Sequence, residues 1–155
     1  MRGRSLSYYF IRCVVLLCIS WAPKAQAQAI TFSTLEKKMQ EQEKPIVVFL
    51  HTNWCNYCAL MEKKTFSNAT VQEALKDKVY FVSFDAESKE KIQFQGKVFG
   101  YRKKGLQSGV HELAEALTSQ NAYPALVILN KNYEIIYQHY AYVGPKEMLQ
   151  LLKAL

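Results

Sequence analysis

The stretch VVFLHTNWCNYCALMEKKTF, residues Val47–Phe66, decides the fold of this chain. It places Cys55 and Cys58 with two residues between them, directly after an apolar run and at the start of a helical-looking segment. Such a pair can be a redox couple, half of a metal site or a structural disulfide. The rest of the sequence is needed to choose among these three possibilities.

The first 27 residues have the features of a secretory signal peptide. Three arginines precede the apolar run Cys13–Ala22, and small residues surround a cleavage site after Ala27, with Ala29 as the alternative. The apolar run is well short of the ~20 residues that span a bilayer. We therefore expect residues 1–27 to be removed and residues 28–155 to form one periplasmic or secreted domain.

Removal of this leader changes both the charge and the cysteine content of the protein. The leader carries four basic residues and no acidic one, so the net charge falls from +7 to +3. A basic excess would favour a nucleic-acid partner; because this one is mostly in the leader, we expect none. Cys13 and Cys18 leave with the leader, so Cys55 and Cys58 are the cysteines of the exported domain.

A zinc site and a structural disulfide both fit this pair poorly. Structural zinc sites need further cysteines or a spaced histidine pair, whereas His51, His111 and His139 are scattered through the chain. A disulfide across so short a loop constrains the unfolded chain very little. We therefore expect no metal, and we interpret the pair as a redox couple.

The position of the pair at the start of a helix gives each cysteine a role. The unpaired N–H groups and the helix dipole stabilise a thiolate at Cys55, which is the nucleophilic form. Cys58 returns to the same face and can attack the mixed disulfide that Cys55 forms. Trp54, Asn56 and Tyr57 surround the pair, so we expect them to contact the substrate; the two intervening residues also influence redox poise.

The remaining pattern predicts an α/β fold in which helices and strands alternate. Ser33 and Glu36 have the spacing of a capping box at the start of the first helix. The early strands need a helical connection and should pair in parallel, whereas the last two are close enough for an antiparallel hairpin. The predicted helices are 31–44, 59–66, 68–76, 110–117 and 146–155, and the predicted strands are 46–50, 79–85, 123–130 and 133–140.

Residues 88–108 do not follow this alternation. The segment IQFQGKVFGY, Ile92–Tyr101, alternates around Gln95 and Gly96, which predicts a small inserted hairpin. The following segment YRKKGLQSG, residues 101–109, has the composition of an exposed basic loop. Its lysines could bind an acidic partner, although charged runs of this kind are usually solvated.

The motifs together resemble the thioredoxin superfamily, in which W-C-x-x-C precedes a later cis-proline. They are FLHTNWCNYC and AYPALVIL, the latter being Ala122–Leu129. The segment Lys44–Leu75 is similar to the C-terminal periplasmic thioredoxin domain of DsbD-type proteins and to small exported thioredoxin-like proteins. The resemblance covers Phe32–Leu155 and is poorest over residues 86–108.

This resemblance implies a thioredoxin fold, with a central mixed sheet and helices on both faces. It also implies a cis peptide bond between Tyr123 and Pro124, beside the cysteines, with backbone that pairs with substrate and prevents metal capture. Many relatives have a buried carboxylate where this chain has Phe49. Glu62, four residues after Cys58, is predicted to take over part of the proton transfer.

The function that follows is an exported thiol–disulfide oxidoreductase, which reduces or exchanges disulfides in client proteins. No bound cofactor is needed, because the cysteine pair itself carries the electrons. A reductase in an oxidising compartment needs a membrane electron donor, and we expect the protein to be a monomer. The alternatives are a peptide-binding or chaperone-like module on the same fold and, among enzymes, a disulfide oxidase or isomerase.

Overall fold

The computed structural model describes residues 28–106 and 108–155. The predicted signal peptide, residues 1–27, lies outside the described residues, and its removal stays a prediction. Among the helices of the described part of the chain, none is both long and apolar enough to cross a bilayer.

The described chain alternates short helices with short strands. The helices are α1 (Phe32–Glu41), α2 (Asn56–Met61), α3 (Ala69–Lys78), α4 (Glu112–Leu117) and α5 (Pro145–Lys153), and a π-helical segment (Glu62–Phe66) continues α2. The strands are β1 (Ile46–His51), β2 (Tyr80–Asp85), β3 (Ile92–Phe94), β4 (Lys97–Phe99), β5 (Tyr101–Lys103), β6 (Gly109–His111), β7 (Ala125–Leu129) and β8 (Ile135–His139).

A four-stranded mixed sheet with the order β2-β1-β7-β8 forms the centre of the molecule. Strands β1 and β2 are parallel, whereas β1 pairs with β7, and β7 with β8, in antiparallel fashion. Strands β1 and β7 are buried along almost their whole length, which explains their continuous apolar sequences. The predicted mixed sheet, with its parallel and antiparallel pairs, is confirmed.

Two hydrophobic clusters pack against opposite faces of this sheet, so the predicted helices on both faces are also confirmed. Alternate residues of β1 enter different clusters: Val48 belongs to the first, and Phe49 to the second. Helices α1 and α4 contribute to the first cluster, and α2, α3 and α5 to the second. The second cluster also contains Cys55 and Cys58, so one face of the sheet supports the cysteine pair.

The first helix begins at a different cap from the one predicted. Thr31 is the N-cap, and its hydroxyl oxygen accepts a hydrogen bond of 3.2 Å from the Thr34 N–H. The predicted capping box is wrong, because Ser33 lies inside α1 and the Glu36 carboxylate accepts from the Gln95 N–H at 2.6 Å instead. Glu36 thereby ties α1 to the inserted hairpin. The helix also ends at Glu41, earlier than expected.

The helix after the cysteines changes character at Glu62. The prediction of one α-helix across this region is corrected: α2 ends at Met61, and Glu62–Phe66 is π-helical. Within the π segment Thr65 is fully buried, and its hydroxyl donates to the Val143 carbonyl oxygen at 2.6 Å. This hydrogen bond fixes the segment against the chain that leads into α5.

The insertion contains two hairpins rather than one. Strands β3 and β4 pair around Gln95 and Gly96 as predicted, and both turn residues have positive φ, 52° and 71°. The following basic segment was predicted to be a loop, but Tyr101–Lys103 pairs with Gly109–His111 as β5 and β6. A Cβ atom on Gly109 would lie 2.5 Å from the Arg102 carbonyl oxygen, so only glycine allows this close pairing.

The helix after the second hairpin begins two residues later than predicted. Val110 and His111 belong to β6, and His111 is the N-cap of α4. Its Nδ1 atom accepts a hydrogen bond of 3.2 Å from the Leu113 N–H. The apolar spacing of this region predicted the helix correctly, but the spacing does not show that its first residues are extended.

Candidate active site

The cysteine pair lies where the chain leaves β1 and enters α2. The Cys55 N–H donates to the Thr52 carbonyl oxygen at 3.2 Å, in a short turn that places Cys55 at the N-cap of α2. A disulfide joins Cys55 and Cys58, whose Cα atoms are 5.2 Å apart. The Cys58 N–H donates to the Cys55 sulfur at 3.0 Å. The structure therefore brings the two predicted redox residues together at the start of a helix.

The two sulfurs differ in their access to solvent and in their hydrogen bonding. Cys55 is 7% exposed and Cys58 is 2% exposed, so Cys55 is the more accessible residue. The N–H group that points at the Cys55 sulfur would also stabilise a thiolate there in the reduced protein. Attack by Cys55 and resolution by the more buried Cys58 is the chemistry that this arrangement supports.

An aromatic rim surrounds the pair. Trp54 is 66% exposed and Tyr57 is 64% exposed, and Asn56 between the cysteines is exposed as well. The Trp54 indole N–H donates to the Glu87 carboxylate at 3.1 Å, which holds the ring in place. The three residues that were predicted to contact substrate thus lie beside Cys55, and their contact with substrate stays a prediction.

Tyr123 and Pro124 lie next to the loop that carries the cysteines. Leu50 in β1 pairs with Ala125 in β7, so Pro124 adjoins the end of β1 from which that loop departs. The Tyr123–Pro124 peptide bond is cis, and Pro124 is buried. Tyr123 packs against both hydrophobic clusters. The strand that follows places this pair of residues at the same end of the sheet as Cys55.

The Tyr123 hydroxyl is buried without a hydrogen-bond partner among the described residues. Burial, and then the negative charges of Glu87, Glu115 and Asp85, raise the pKa of Tyr123 to about 12. This side chain is therefore a neutral phenol at every pH at which the protein would work. It contributes shape and a hydrogen-bonding group to the site, but no charge.

The environment beneath the cysteines is apolar. Phe49 is fully buried in the cluster that contains Cys55 and Cys58, and its ring centroid lies 4.7 Å from that of Phe66. Position 49 is therefore occupied by an aromatic ring that packs at a tilt against a second aromatic ring. Thr52 is nearby in sequence, and its hydroxyl is buried without a partner in the described chain.

Glu62 follows Cys58 by one helical turn, but the two side chains differ in their exposure to solvent. Cys58 is buried, whereas Glu62 is exposed at the first position of the π-helical segment. Its carboxylate makes no hydrogen bond or ion pair to the residues that the structure describes. A role for Glu62 in proton transfer stays a prediction, and it requires that the side chain turn towards Cys58.

A cavity of about 210 Å³ adjoins the aromatic rim. It extends from Trp54 and Tyr123 towards the second hairpin of the insertion. The residues that line it are Trp54, Glu87, Lys104, Ser108, Gly109, Val110, Asn121 and Tyr123. The cavity provides space beside Cys55 for the chain that flanks a substrate disulfide.

Glu87 was not among the predicted site residues. It follows β2, and its contact with Trp54 depends on the pairing of β2 with β1, in which Asp85 lies opposite His51. The parallel pairing itself was predicted, and the carboxyl ends of parallel strands meet at one edge of a sheet. That signal could have found Glu87.

The three histidines belong to different elements, and the His51 ring stacks on Phe49, which belongs to the cluster that contains the cysteines. His111 is a buried helix cap, His51 ends β1, and His139 ends β8. Over residues 28–106 and 108–155, no group of three or more histidine, cysteine, aspartate or glutamate residues is arranged to hold a metal ion.

Comparison with known proteins agrees with this geometry. A family model described as a thioredoxin-like domain matches residues 32–155. No curated protein sequence matches the chain significantly.

The solved structures with a similar fold include an oxidoreductase, a thioredoxin and a disulphide isomerase. A DsbH oxidoreductase has 15% sequence identity and a TM-score of 0.58, with 88% of this chain and 90% of that chain covered. A thioredoxin from Thermus thermophilus has 17% identity and a TM-score of 0.59, covering 82% and 85%. A disulphide isomerase from Xylella fastidiosa Temecula1 has 16% identity and a TM-score of 0.53, covering 82% and 92%. At identities this low, the structural likeness establishes a shared fold and nothing further.

Proposed function

The chain belongs to the thioredoxin-like family, and from this premise we propose that it is an exported thiol–disulfide oxidoreductase that reduces or exchanges disulfides in protein substrates. The observation that carries the proposal is the Cys55–Cys58 disulfide at the start of α2. Family membership and this pair support oxidoreductase activity. Export is supported by the signal-peptide features of residues 1–27.

The reduction of a substrate disulfide needs both cysteines in their reduced form. The Cys55 thiolate attacks one sulfur of the substrate disulfide, so a mixed disulfide forms and the other substrate sulfur leaves as a thiolate. Cys58 then loses its proton and attacks the Cys55 sulfur, which releases the second substrate thiolate. The substrate gains two electrons, and the protein ends with the Cys55–Cys58 disulfide.

A further reductant is then required to restore the dithiol. We propose a membrane-bound dithiol donor, which transfers two electrons through the same exchange steps in the reverse sense. Protein disulfides whose flanking chain fits the aromatic rim are the proposed substrates. Trp54, Asn56, Tyr57, Tyr123 and Pro124 are the residues proposed to contact that chain, because all of them border Cys55 or the adjoining sheet end.

This function is tested by mixing the reduced protein with a cystine-containing peptide and measuring reduction of the peptide. Wild type should reduce the peptide, and Cys55→Ser should lose the activity completely, because the attacking sulfur is gone. Cys58→Ser should instead accumulate a mixed disulfide with the peptide, which mass spectrometry under non-reducing conditions detects. Turnover that survives Cys55→Ser would refute the proposal.

The role of Glu62 is tested in protein that keeps both cysteines, because Cys58 is the residue that resolves the mixed disulfide. If Glu62 accepts the Cys58 proton, Glu62→Gln should slow the decay of the mixed disulfide, whereas Glu73→Gln on the exposed surface of α3 should not. Equal decay in both variants would exclude this role for Glu62.

The direction of electron flow is tested by the reduction potential of the Cys55–Cys58 couple. A value near about −270 mV indicates a reductase, and one near about −120 mV indicates an oxidase. A peptide-binding module, the alternative from another functional class, would bind the peptide with unchanged affinity in Cys55→Ser and would show no turnover in wild type.

A further inference from the structure

The insertion concentrates positive charge on one part of the molecule. Residues 88–108 carry six basic residues and one acidic residue, whereas the rest of residues 28–155 carries ten basic and twelve acidic residues. The domain is therefore weakly acidic outside this segment and strongly basic within it. The basic residues of the insertion are Lys89, Lys91, Lys97, Arg102, Lys103 and Lys104.

In the second hairpin, formed by β5 and β6, the basic side chains lie on two opposite faces. Lys104, and then Arg102, forms an ion pair with Glu115 of α4, and these contacts hold the pKa of that carboxyl below its ordinary value. Because side chains alternate along a strand, Tyr101 and Lys103 lie on the opposite face of β5. The paired face anchors the hairpin to α4, and the other face is left with an uncompensated lysine.

That other face forms a cleft of about 530 Å³, which we call the lysine cleft. Its lining consists of Lys89, Lys91, Gly100, Tyr101, Lys103, Leu106 and Ser108. No carboxylate is among these residues, and none of the three lysines forms an ion pair within residues 28–106 and 108–155. The Lys89 ammonium lies 6.0 Å from the centroid of the Tyr101 ring, so charge and apolar surface occur side by side.

The lysine cleft and the cavity that adjoins the aromatic rim lie on opposite faces of the second hairpin and meet at Ser108. Ser108 lines both, and Gly109, the next residue, lines the cavity that reaches Trp54 and Tyr123. A Cβ atom on Gly109 would lie 2.5 Å from the Tyr101 ring, so the absence of a side chain there lets that ring lie across the strand. A polypeptide whose disulfide is at Cys55 can therefore run past Trp54 and cross the hairpin at Ser108 to reach the lysines.

Resting on the proposed function, we propose that the lysine cleft binds an acidic segment of the client polypeptide while its disulfide is at Cys55. Aspartate or glutamate carboxylates would pair with Lys89, Lys91 and Lys103, and an apolar neighbour would pack on Tyr101. The connection to the cysteine cavity favours a polypeptide over other polyanions. The lining also contains no arginine, the side chain best suited to bidentate phosphate binding.

Complementary charge acts mainly on the rate of encounter, and salt weakens it. We therefore expect a client with an acidic flank to be reduced about tenfold faster than a neutral one at low ionic strength. The preference should fall steeply as salt is added, because the lysines are exposed and the contact is screened.

The experiment compares two fluorescent cystine peptides that differ only in one flank, three glutamates in one and three glutamines in the other. The second-order rate constant for reduction of each peptide by stoichiometric, fully reduced protein is measured in a single turnover with wild type, with a cleft variant and with a control variant. The cleft variant is Lys89→Gln, Lys91→Gln, Lys103→Gln, and the control is Lys76→Gln, Lys146→Gln, Lys153→Gln, exposed lysines on α3 and α5. Both remove the same charge, and thermal unfolding shows whether each is folded.

We expect the preference for the acidic peptide in wild type and in the control, and its loss in the folded cleft variant. Equal rates for both peptides in wild type would overturn the cleft proposal alone, and failure to reduce either peptide would overturn the proposed function. If the control variant lost the preference for the acidic peptide to the same extent, the effect would be due to net charge and the cleft proposal would be overturned. Cleft-dependent binding of anionic vesicles or an oligonucleotide more tightly than the acidic peptide would overturn it as well.

Discussion

The Tyr123 hydroxyl, like that of Thr52, is buried and has no hydrogen-bond partner in the described chain. Leaving a buried polar group unpaired costs about 1–3 kcal/mol. Tyr123→Phe removes the group without changing the ring, so the free energy of unfolding should rise by about 1 kcal/mol. Urea denaturation measures this change. The matched control is Tyr57→Phe, whose hydroxyl is on an exposed side chain and whose effect should be within about 0.5 kcal/mol.

The same variant has an expected pH dependence. The pKa of Tyr123 is raised from 10.0 to about 12, so the folded protein holds this proton more tightly than the unfolded chain does. The contribution of this bound proton to the free energy of unfolding is fully present below pH 10 and is lost as the pH rises towards 12. The advantage of Tyr123→Phe over wild type should therefore grow between these two pH values. A constant difference would contradict the assignment.

Residues that act through local spacing could be predicted from the sequence directly, whereas a residue that acts through tertiary contact could be found only by way of predicted strand pairing. Cys55 and Cys58 share a helix face because of their separation alone. Glu87 is 33 residues from Trp54 in sequence, and only the pairing of two strands brings the carboxylate to the indole. Phe49 was singled out from the sequence, but its contact with the Phe66 ring is seen only in the fold.

Among the elements, the junction of β6 and α4 depends on one buried histidine. His111 is 0% exposed, its Nδ1 atom accepts from the Leu113 N–H, and its Nε2 atom is 2.9 Å from the Glu90 carbonyl oxygen. Since Nδ1 is an acceptor, Nε2 carries the proton and donates to Glu90. One neutral side chain thus joins a strand, a helix and the loop before β3.

Replacement of His111 should lower the free energy of unfolding substantially. His111→Ala removes a helix cap and a buried ring, so the free energy of unfolding should fall by about 3 kcal/mol. His111→Asn keeps a capping group and should recover about 1 kcal/mol of that loss. Urea denaturation gives both values, with His139→Ala at the partly exposed end of β8 as the control. A loss in His111→Ala no larger than the control's would contradict this assignment.

At the level of elements, long apolar patterns were informative and short ones were not. Strands β1, β2 and β7 have apolar runs that are typical of buried strands, and the structure has each within a residue or two of its predicted bounds. Strands β5 and β6 have three residues each, too few for an alternating pattern. Their pairing rests on Gly109 and on ion pairs to α4, neither of which a pattern along the chain reveals.

For the whole molecule, the sheet separates two cores that should contribute to stability independently. Val48 belongs to the first cluster and Val71 to the second, and both are fully buried. Val48→Ala and Val71→Ala should each lower the free energy of unfolding by about 2 kcal/mol. The double variant should lose the sum to within about 0.5 kcal/mol, because the two valines belong to different clusters on opposite faces of the sheet. Denaturation of the oxidised protein checks this sum.

A coupling energy well above that margin would mean that the sheet transmits changes in packing from one face to the other. The sequence does not predict which residues of β1 enter which core, because a strand that is apolar at every position has no polar face to orient it. The strand order follows from the connections between elements, but the assignment of faces follows only from the helices that cover them.

The π-helical segment has a consequence for evolutionary comparison. A π turn holds one residue more than the α-helical turn in whose place it stands. When relatives are aligned outward from the cysteines, a relative with an uninterrupted α-helix must therefore receive a one-residue gap between Met61 and Ser67. Without that gap, Thr65, a buried residue bonded to Val143, would be matched with a surface position. Ancestry inferred from this helix depends on the gap being in the right place.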